Sequence, residues 1–181
     1  MFDPEGLTAV PNPMRWSILH GCEDPEVAMR RAAALVQAMP MDGTSNASYW
    51  NGKAAMLMRG YLYAAAVLDV DLVTVRVWAA SRDVRAVHDV LSADLPDWDA
   101  ELSQALESKS DSSDDVISAC TRLLEPLASP KLMRAVNVPL RESVDLESLI
   151  TDGTNTVYLI SDGGSESAAA ITTVLSAELY H

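Results

Sequence analysis

The sequence SYWNGKAAMLMRGYLYAAAVL, residues 48–68, decides the fold of this chain. Its apolar side chains recur every three or four positions in more than one register, so they cover nearly the whole circumference of a helix. A helix that is apolar nearly all round is buried. We therefore predict a long central helix in a helical bundle. One stripe along this helix contains Trp50, Ala54, Leu57, Tyr61, Ala64 and Leu68, and a second contains Met56, Tyr63 and Val67.

Further helices are predicted on both sides of the central one. Asp24-Pro25-Glu26 supplies an N-cap, a first-turn proline and an acid that suits the helix dipole, so a helix should run to about Met39. The apolar face of this helix leaves Arg30 and Arg31 pointing elsewhere. Helical spacing and first-turn prolines predict additional helices over 82–93, 96–108, 116–127 and 130–136, with Ser81 as the first cap and 108–115 as a polar loop.

Residues 72–80 fit two interpretations. Val73, Val75 and Val77 alternate with polar residues, as they would in a strand. Asp71, however, is suited to N-cap a helix, and helices are expected on both sides of the segment. We therefore favour a short helix from 72 to 80 over a strand.

The C-terminal part of the chain changes character. After a helical turn at 145–150, residues 156–161 (TVYLIS) are apolar and β-branched, as in a buried strand. Asp162-Gly-Gly-Ser165 then precedes a helix over 166–179; it could cradle an anion, but a turn with Ser165 as N-cap is favoured. A lone strand cannot form a domain. It either pairs with the N-terminal residues or belongs to a sheet outside the chain.

The charge of the chain is concentrated in one segment. The formal net charge is −13, from 26 acidic and 13 basic residues. Residues 94–115 hold eight acids and one base, Lys109, a local charge of −7. Such a surface repels nucleic-acid phosphates and attracts a basic protein, although it could also be a solvated face that only favours solubility. The candidate partner-binding residues are Asp94, Asp97, Asp99, Glu101, Asp111, Asp114 and Asp115.

Patterns for catalysis or metal binding are missing from the sequence. The phosphate-binding pattern G-x-x-x-x-G-K-S/T is approached at Gly52-Lys53, but positions 47 and 54 are both alanine. Cys22 and Cys120 have no metal-ligand spacing with the three histidines, and we expect both to be reduced thiols, Cys120 in the core. We expect no enzyme active site, no metal site and no cofactor in this chain.

No membrane segment or secretory signal is expected either. The longest apolar run, residues 60–68, has nine residues, and a membrane span needs about 20. The N-terminus lacks the basic and then apolar run of a signal peptide.

Several short segments, in this order, resemble the coupling ATPases of conjugative type IV secretion. These proteins pump DNA and protein substrates into the secretion channel. The resemblance covers most of the chain. It is carried by FDPEG at 2–6, RWS at 15–17, GCEDP at 21–25 before an Ala/Arg-rich helix, YW at 49–50, the 115–130 helix ending in LASP, and TVYLI at 156–160.

The resemblance implies a domain organisation. In this family a RecA-like ATPase domain is interrupted by an all-α domain between its two nucleotide-binding motifs. Residues 1–23 would be an irregular segment leaving the ATPase sheet, 24–140 the all-α domain, and 141–181 the return, with its strand at 156–161 and helix at 166–179. The chain has neither nucleotide-binding motif, so it would be a piece of such a protein and should not hydrolyse ATP. ATP and magnesium would belong to the parent's ATPase domain.

The resemblance also implies a function. The all-α domain of these ATPases is cytoplasmic and helps to choose substrates by contacting a relaxase or a relaxosome accessory protein. The parent would be a hexamer at the inner face of the cell membrane, and this piece alone a monomer. Two other classes stay open from the residues: a free-standing helical adaptor or regulator, and a small helical enzyme with a deep polar pocket.

Overall fold

The computed structural model describes residues 1–39, 46–107, 111–151 and 153–180, with the backbone alone for 111–113. The described residues are mainly helical, as predicted. Short 3₁₀ turns lie at Glu125–Ala128 and Leu140–Glu142. The α-helices are α1 (Pro25–Ala38), α2 (Ala47–Val67), α3 (Leu72–Ala79), α4 (Arg85–Asp94), α5 (Pro96–Glu107), α6 (Asp111–Leu123), α7 (Pro130–Val136), α8 (Leu146–Thr151) and α9 (Glu166–Leu179).

Helix α2 is the central helix, which confirms the prediction for 48–68. It packs against α1, α3, α4, α5 and α6, and Gly60 through Ala66 are all buried. Gly60 permits a close approach to α4, because a Cβ there would lie 3.2 Å from Leu91 Cδ1. The all-round apolar character of the segment is therefore explained by neighbours on several sides.

The ambiguous segment is a helix, so the strand interpretation is wrong. The Asp71 side chain accepts a hydrogen bond from the Thr74 backbone N–H at 2.9 Å, which caps α3. Leu72, Val75 and Trp78 face the core at helical spacing. The alternating valines are separated by helical geometry into one buried and two exposed positions.

Three predicted boundaries near the acidic segment are corrected. Helix α4 begins at Arg85 rather than 82, because Ser81 Oγ accepts from Asp83 N in a preceding turn (3.0 Å) and does not cap a helix. Of the predicted polar loop, 108–110 lie outside the described residues, whereas 111–115 form the first turns of α6. Helix α6 ends at Leu123 instead of 127, since Pro126 has no N–H to continue it.

The terminal segments meet in one parallel bridge. Phe2 N donates to Tyr158 O at 2.8 Å, and Ile160 N donates to Phe2 O at 2.9 Å. Among the described residues 156–161 form no strand beyond this bridge, because each side contributes too few paired residues. Residues 156–161 therefore pair with the N-terminal residues, which is one of the two alternatives that the sequence left open.

The terminal segments share the core of the helical body. Phe2 and Trp16 from the N-terminal segment and Val174 from α9 are buried in the same hydrophobic cluster as α2. Helix α9, predicted at 166–179, packs against α1, α7 and α8. Its N-cap is Ser165, whose Oγ accepts from Ala168 N at 3.2 Å, as predicted.

Candidate functional site

The acidic residues singled out from the sequence lie on three consecutive helices. Asp94 ends α4, Asp97, Asp99 and Glu101 lie in the first half of α5, and the remaining three lie in the first turns of α6. Helix α5 packs against both α4 and α6, so the fold keeps these helices together. The first turn of α5 is a favourable place for acids, because they complement the positive end of the helix dipole.

Most of these carboxylates are engaged within the chain. Asp94 Oδ2 accepts from the Tyr63 hydroxyl at 3.2 Å, and burial together with this bond raises the pKa of Tyr63. Asp99 lies 2.6 Å from His88 Nδ1. In two further pairs Glu101 bonds Arg59 and Asp114 bonds Arg82 at 2.5 Å. Each of these four acids therefore already has a bonding partner within the chain.

The acids available to a partner are therefore fewer than the sequence predicted. Asp97 and Asp115 are exposed, and among the described residues neither forms an ion pair. The side chain of Asp111 lies outside the described part. The available carboxylates are thus Asp97 at the start of α5 and Asp115 in the second turn of α6.

A buried arginine was missed by the sequence analysis, which placed it off the apolar face of α1. Arg31 is 1% exposed and lies in the core. Its Nη1 donates to Ile18 O at 2.5 Å, its Nη2 lies 3.0 Å from Glu178 Oε1, and its Nε donates to Glu178 Oε2 at 3.3 Å. Its guanidinium carbon lies 4.8 Å from the centre of the Trp16 ring. We call Arg31, Trp16 and Glu178 the buried cluster.

Burial of a charged group is costly unless it is paired and hydrogen-bonded, and Arg31 meets both conditions. The cluster joins the N-terminal segment to α1 and α9. The one signal for this cluster in the sequence is an arginine followed by small apolar residues within α1. Its partner Glu178, however, is 147 residues away. No local pattern connects the two.

A polar cleft of ≈ 670 Å³ opens beside the buried cluster. His20, Asp24, Arg30 and Asp145 are among the charged and titratable groups on its walls. Both signs of charge are present on these walls. Among the described residues no group of three or more His, Cys, Asp or Glu is arranged to hold a metal ion.

The two thiols are structural. Cys22 is buried beside Ile18 O, and burial raises the pKa of its thiol to about 12. Cys120 is fully buried, as predicted, and burial raises its pKa as well. A thiol of raised pKa is a poor nucleophile because the reactive form is the thiolate.

An apolar groove lies between α3 and α6 and was also missed. Val73 and Val77 of α3 are 49% and 61% exposed, and they face Ile117 and Leu124 across the groove. Its volume is ≈ 1120 Å³. The sequence left the valines of α3 in either a strand or a short helix, and only the packing of α3 reveals that two of them are left uncovered.

Comparison with protein-family models, with curated proteins and with solved structures finds no match to this chain. Within the described ranges, no helix is long and apolar enough to cross a membrane.

Proposed function

We propose that this chain is the substrate-recognition domain of a DNA-transfer coupling ATPase. In this proposal it binds a relaxase or a relaxosome accessory protein and helps to deliver DNA–protein substrates to a type IV secretion channel. It would work in the cytoplasm as part of a larger membrane-anchored hexamer, while ATP hydrolysis would take place in another part of that protein. The resemblance in sequence suggests the family, and the geometry of the two ends supports it.

The observation that carries the proposal is the parallel bridge between Phe2 and Leu159. Helices α1 to α8 lie between the two segments of this bridge, so the chain enters and leaves that part of the body through two adjacent, parallel segments. That is the arrangement required for a helical domain inserted between two neighbouring strands of a parallel sheet. A RecA-like sheet is a sheet of that kind, and it would continue the pairing that the bridge begins.

The acids Asp97 and Asp115 suggest how a partner would be recognised. They are exposed, whereas the other candidate acids with described side chains already bond two arginines, a histidine and a tyrosine of the chain. A partner with lysines or arginines would add ion pairs without displacing these internal ones. Electrostatic attraction of this kind raises association rates and depends on ionic strength.

A pull-down tests this proposal. The chain is immobilised and offered the relaxase and accessory proteins encoded with it, at about 0.15 M and about 0.5 M salt. We expect retention at the lower salt and loss at the higher salt, and loss at both for the double variant Asp97→Lys/Asp115→Lys. Asp99 and Asp114 are left unchanged because reversing them would break ion pairs within the fold.

The matched control is a charge reversal on another helix. Glu147→Lys changes an exposed acid on α8, which packs on α9, and it should bind as the unsubstituted chain does. Failure to retain any of these proteins at either salt, or equal retention by the double variant, would contradict the proposal.

A free-standing adaptor is the second candidate, and the shared hydrophobic core favours it. Because Phe2, Trp16 and α9 are buried together with α2, the chain can form one body without a neighbouring sheet. An adaptor would bind its partner with no requirement for an ATPase. Stop codons directly flanking the reading frame would support this candidate, and flanking nucleotide-binding motifs would support the coupling ATPase.

A further inference from the structure

Hydrogen bonds join α3 to the segments that form the other side of the groove. Thr121 Oγ1 of α6 lies 2.9 Å from the O of Ala79, the last residue of α3, and 2.8 Å from Ile117 O, and these two carbonyls share its one proton. Arg76 Nη1 donates to Leu127 O in the 3₁₀ turn at 3.2 Å. These contacts join the two sides of the groove in the unbound chain. A preformed site avoids the ordering cost that weakens binding to mobile surfaces.

The walls of the groove are apolar and uncovered. Val73 and Val77 are one helical turn apart, so their side chains lie on the same face of α3. They are about half exposed or more, although valine is a residue that is usually buried. Ile117, which is half-buried, and Leu124, which is 2% exposed, also line the groove.

The rim of the groove carries positive charge in a strongly acidic chain. Arg76 and Arg122 lie along it with one acid, Glu125, so the rim has a net charge of +1 in a chain of −13. Most of the described arginines form ion pairs with acids of the chain. Arg76 and Arg122 form no ion pair with any acid in the described part of the chain. A guanidinium has five N–H donors, so Arg76 retains free donors beside its bond to Leu127 O.

The shape of the groove selects a helix as its occupant. The backbone groups of both walls are bonded within helices, so an extended peptide would find no strand edge to pair with. Helix α3 has eight residues and is about 12 Å long, which matches two turns of a docked helix. The volume exceeds the roughly 300–1,000 Å³ of most small-molecule sites.

We propose that the groove between α3 and α6 binds an amphipathic helix of a partner protein whose apolar face is flanked by acidic residues. The apolar face covers Val73 and Val77, and carboxylates pair with Arg76 and Arg122. This surface differs in charge from Asp97 and Asp115, so the inference goes beyond the proposed function and does not depend on it.

The test uses a phage-displayed library of helical peptides about four turns long, panned against the full chain. Enriched peptides should carry apolar residues at i, i+4 spacing with Asp or Glu beside them. One enriched peptide is then labelled, and its affinity is measured by fluorescence anisotropy. We expect Val77→Asp to lower the affinity at least about tenfold and Arg122→Glu about fivefold.

Two matched variants control for general effects of the substitutions. Val67→Asp introduces the same acid at an exposed valine of α2, and Arg134→Glu reverses an exposed arginine of α7. Both should bind the peptide normally. Changing the acids of the peptide to lysine should weaken its binding to the unsubstituted chain and restore binding to Arg122→Glu, which an indirect structural effect would not do.

Other outcomes would overturn the inference. These are the absence of any enriched peptide, enrichment of basic or neutral peptides, and equal affinity of the Val77→Asp variant. Light scattering provides a further arm: self-association abolished by Val77→Asp would assign the groove to a second copy of this chain. The relaxase pull-down depends on Asp97 and Asp115 instead, so either proposal can fail without the other.

Discussion

Two clusters in this protein use the same chemistry in different surroundings. In the buried cluster the guanidinium of Arg31 lies 4.8 Å from the centre of the Trp16 ring, and in the second cluster Arg59 lies 4.5 Å from the Trp98 ring. Each arginine also pairs with a glutamate. The Arg31 side chain is 1% exposed and that of Arg59 is 19% exposed. We call Arg59, Trp98 and Glu101 the surface cluster.

The difference in burial changes how completely each arginine is bonded. Nε of Arg31 donates to Glu178, and its other nitrogens reach Ile18 O and His20 O. Nε of Arg59 is buried without a hydrogen-bond partner in the described residues. Glu178 is 16% exposed, whereas Glu101 is 47% exposed and can be solvated by water. The same three residue types therefore join the N-terminal segment to α1 and α9 in the buried cluster, and join α2 to α5 in the surface cluster.

The largest expected effect comes from breaking the buried cluster. Arg31→Met should lower the free energy of unfolding by about 3–5 kcal/mol, because Glu178 keeps only the longer contact with Arg30 and two backbone carbonyls lose a charged donor. Urea denaturation followed by circular dichroism measures the change. In the double variant Arg31→Met/Glu178→Met a large part of the loss should be recovered. The charge that loses its partner is then Arg30, which lies 3.6 Å from Glu178 Oε1 in the native chain and is 36% exposed, so water can solvate it. Equal stability of Arg31→Met and the unsubstituted chain would show that the pair is not needed.

Thiol labelling shows where the structure opens in that variant. Cys22 Sγ shares the Ile18 carbonyl with Arg31, whereas Cys120 lies in α6. In the native chain both thiols should react slowly with a disulfide reagent at pH 8, because burial raises both pKa values, that of Cys22 to about 12.

In Arg31→Met we expect labelling of Cys22 to accelerate about a hundredfold, and that of Cys120 by less, since opening should begin at the buried cluster. Single-cysteine backgrounds made with Cys22→Ser and Cys120→Ser separate the two rates. Equal acceleration of both thiols would indicate global unfolding and would remove the distinction between the two regions.

The surface cluster should give a smaller effect. Arg59→Met keeps the apolar stem but removes the stacking on Trp98 and the ion pair with Glu101, together worth about 1 kcal/mol. A double-mutant cycle with Glu101→Met should give a coupling energy below that of the Arg31–Glu178 cycle. Raising the salt should weaken the surface coupling and leave the buried one nearly unchanged, because solvent ions do not screen buried pairs well. The reverse order of the two couplings would contradict the comparison.

The smallest expected effect concerns Asp145, which lies on the wall of the cleft beside the buried cluster. The side-chain hydroxyl and N–H of Ser148 donate to its carboxylate, and they hold its pKa below the ordinary value of 3.8. A lowered pKa stabilises the folded state above the unfolded-state pKa, and that stability is lost as the pH falls through the folded-state pKa.

Asp145→Ala should therefore lower the free energy of unfolding by about 0.5–1 kcal/mol at pH 7. The difference from the unsubstituted chain should shrink below about pH 4, where the carboxylate becomes protonated. Denaturation curves at pH 7, 5 and 3 test this, with Asp97→Ala as a control that lacks these bonds. A constant difference across the pH range would show that Asp145, which accepts from the first N–H groups of α8, does not stabilise the fold through its charge.

The helices could be predicted because their signals are local. Pro25 and Pro130 mark first turns, Asp71 and Ser165 are caps, and the spacing within 48–68 is set by a helix of 3.6 residues per turn. Each signal acts over about four residues. The acidic segment was recognised from composition alone, but composition could not show that Glu101 and Asp114 are bonded to Arg59 and Arg82.

The sequence by itself determined a mainly helical fold around α2, an acidic α4–α6 region and two thiols suited to a reduced state. Only the tertiary structure decided that Arg31 is buried against Glu178 and that Phe2 forms a parallel bridge with Leu159. It also decided that Val73 and Val77 remain uncovered. The reason is the distance along the chain. Periodicity and capping depend on neighbours within a helical turn, whereas ion pairs, bridges and grooves depend on which distant segments pack together.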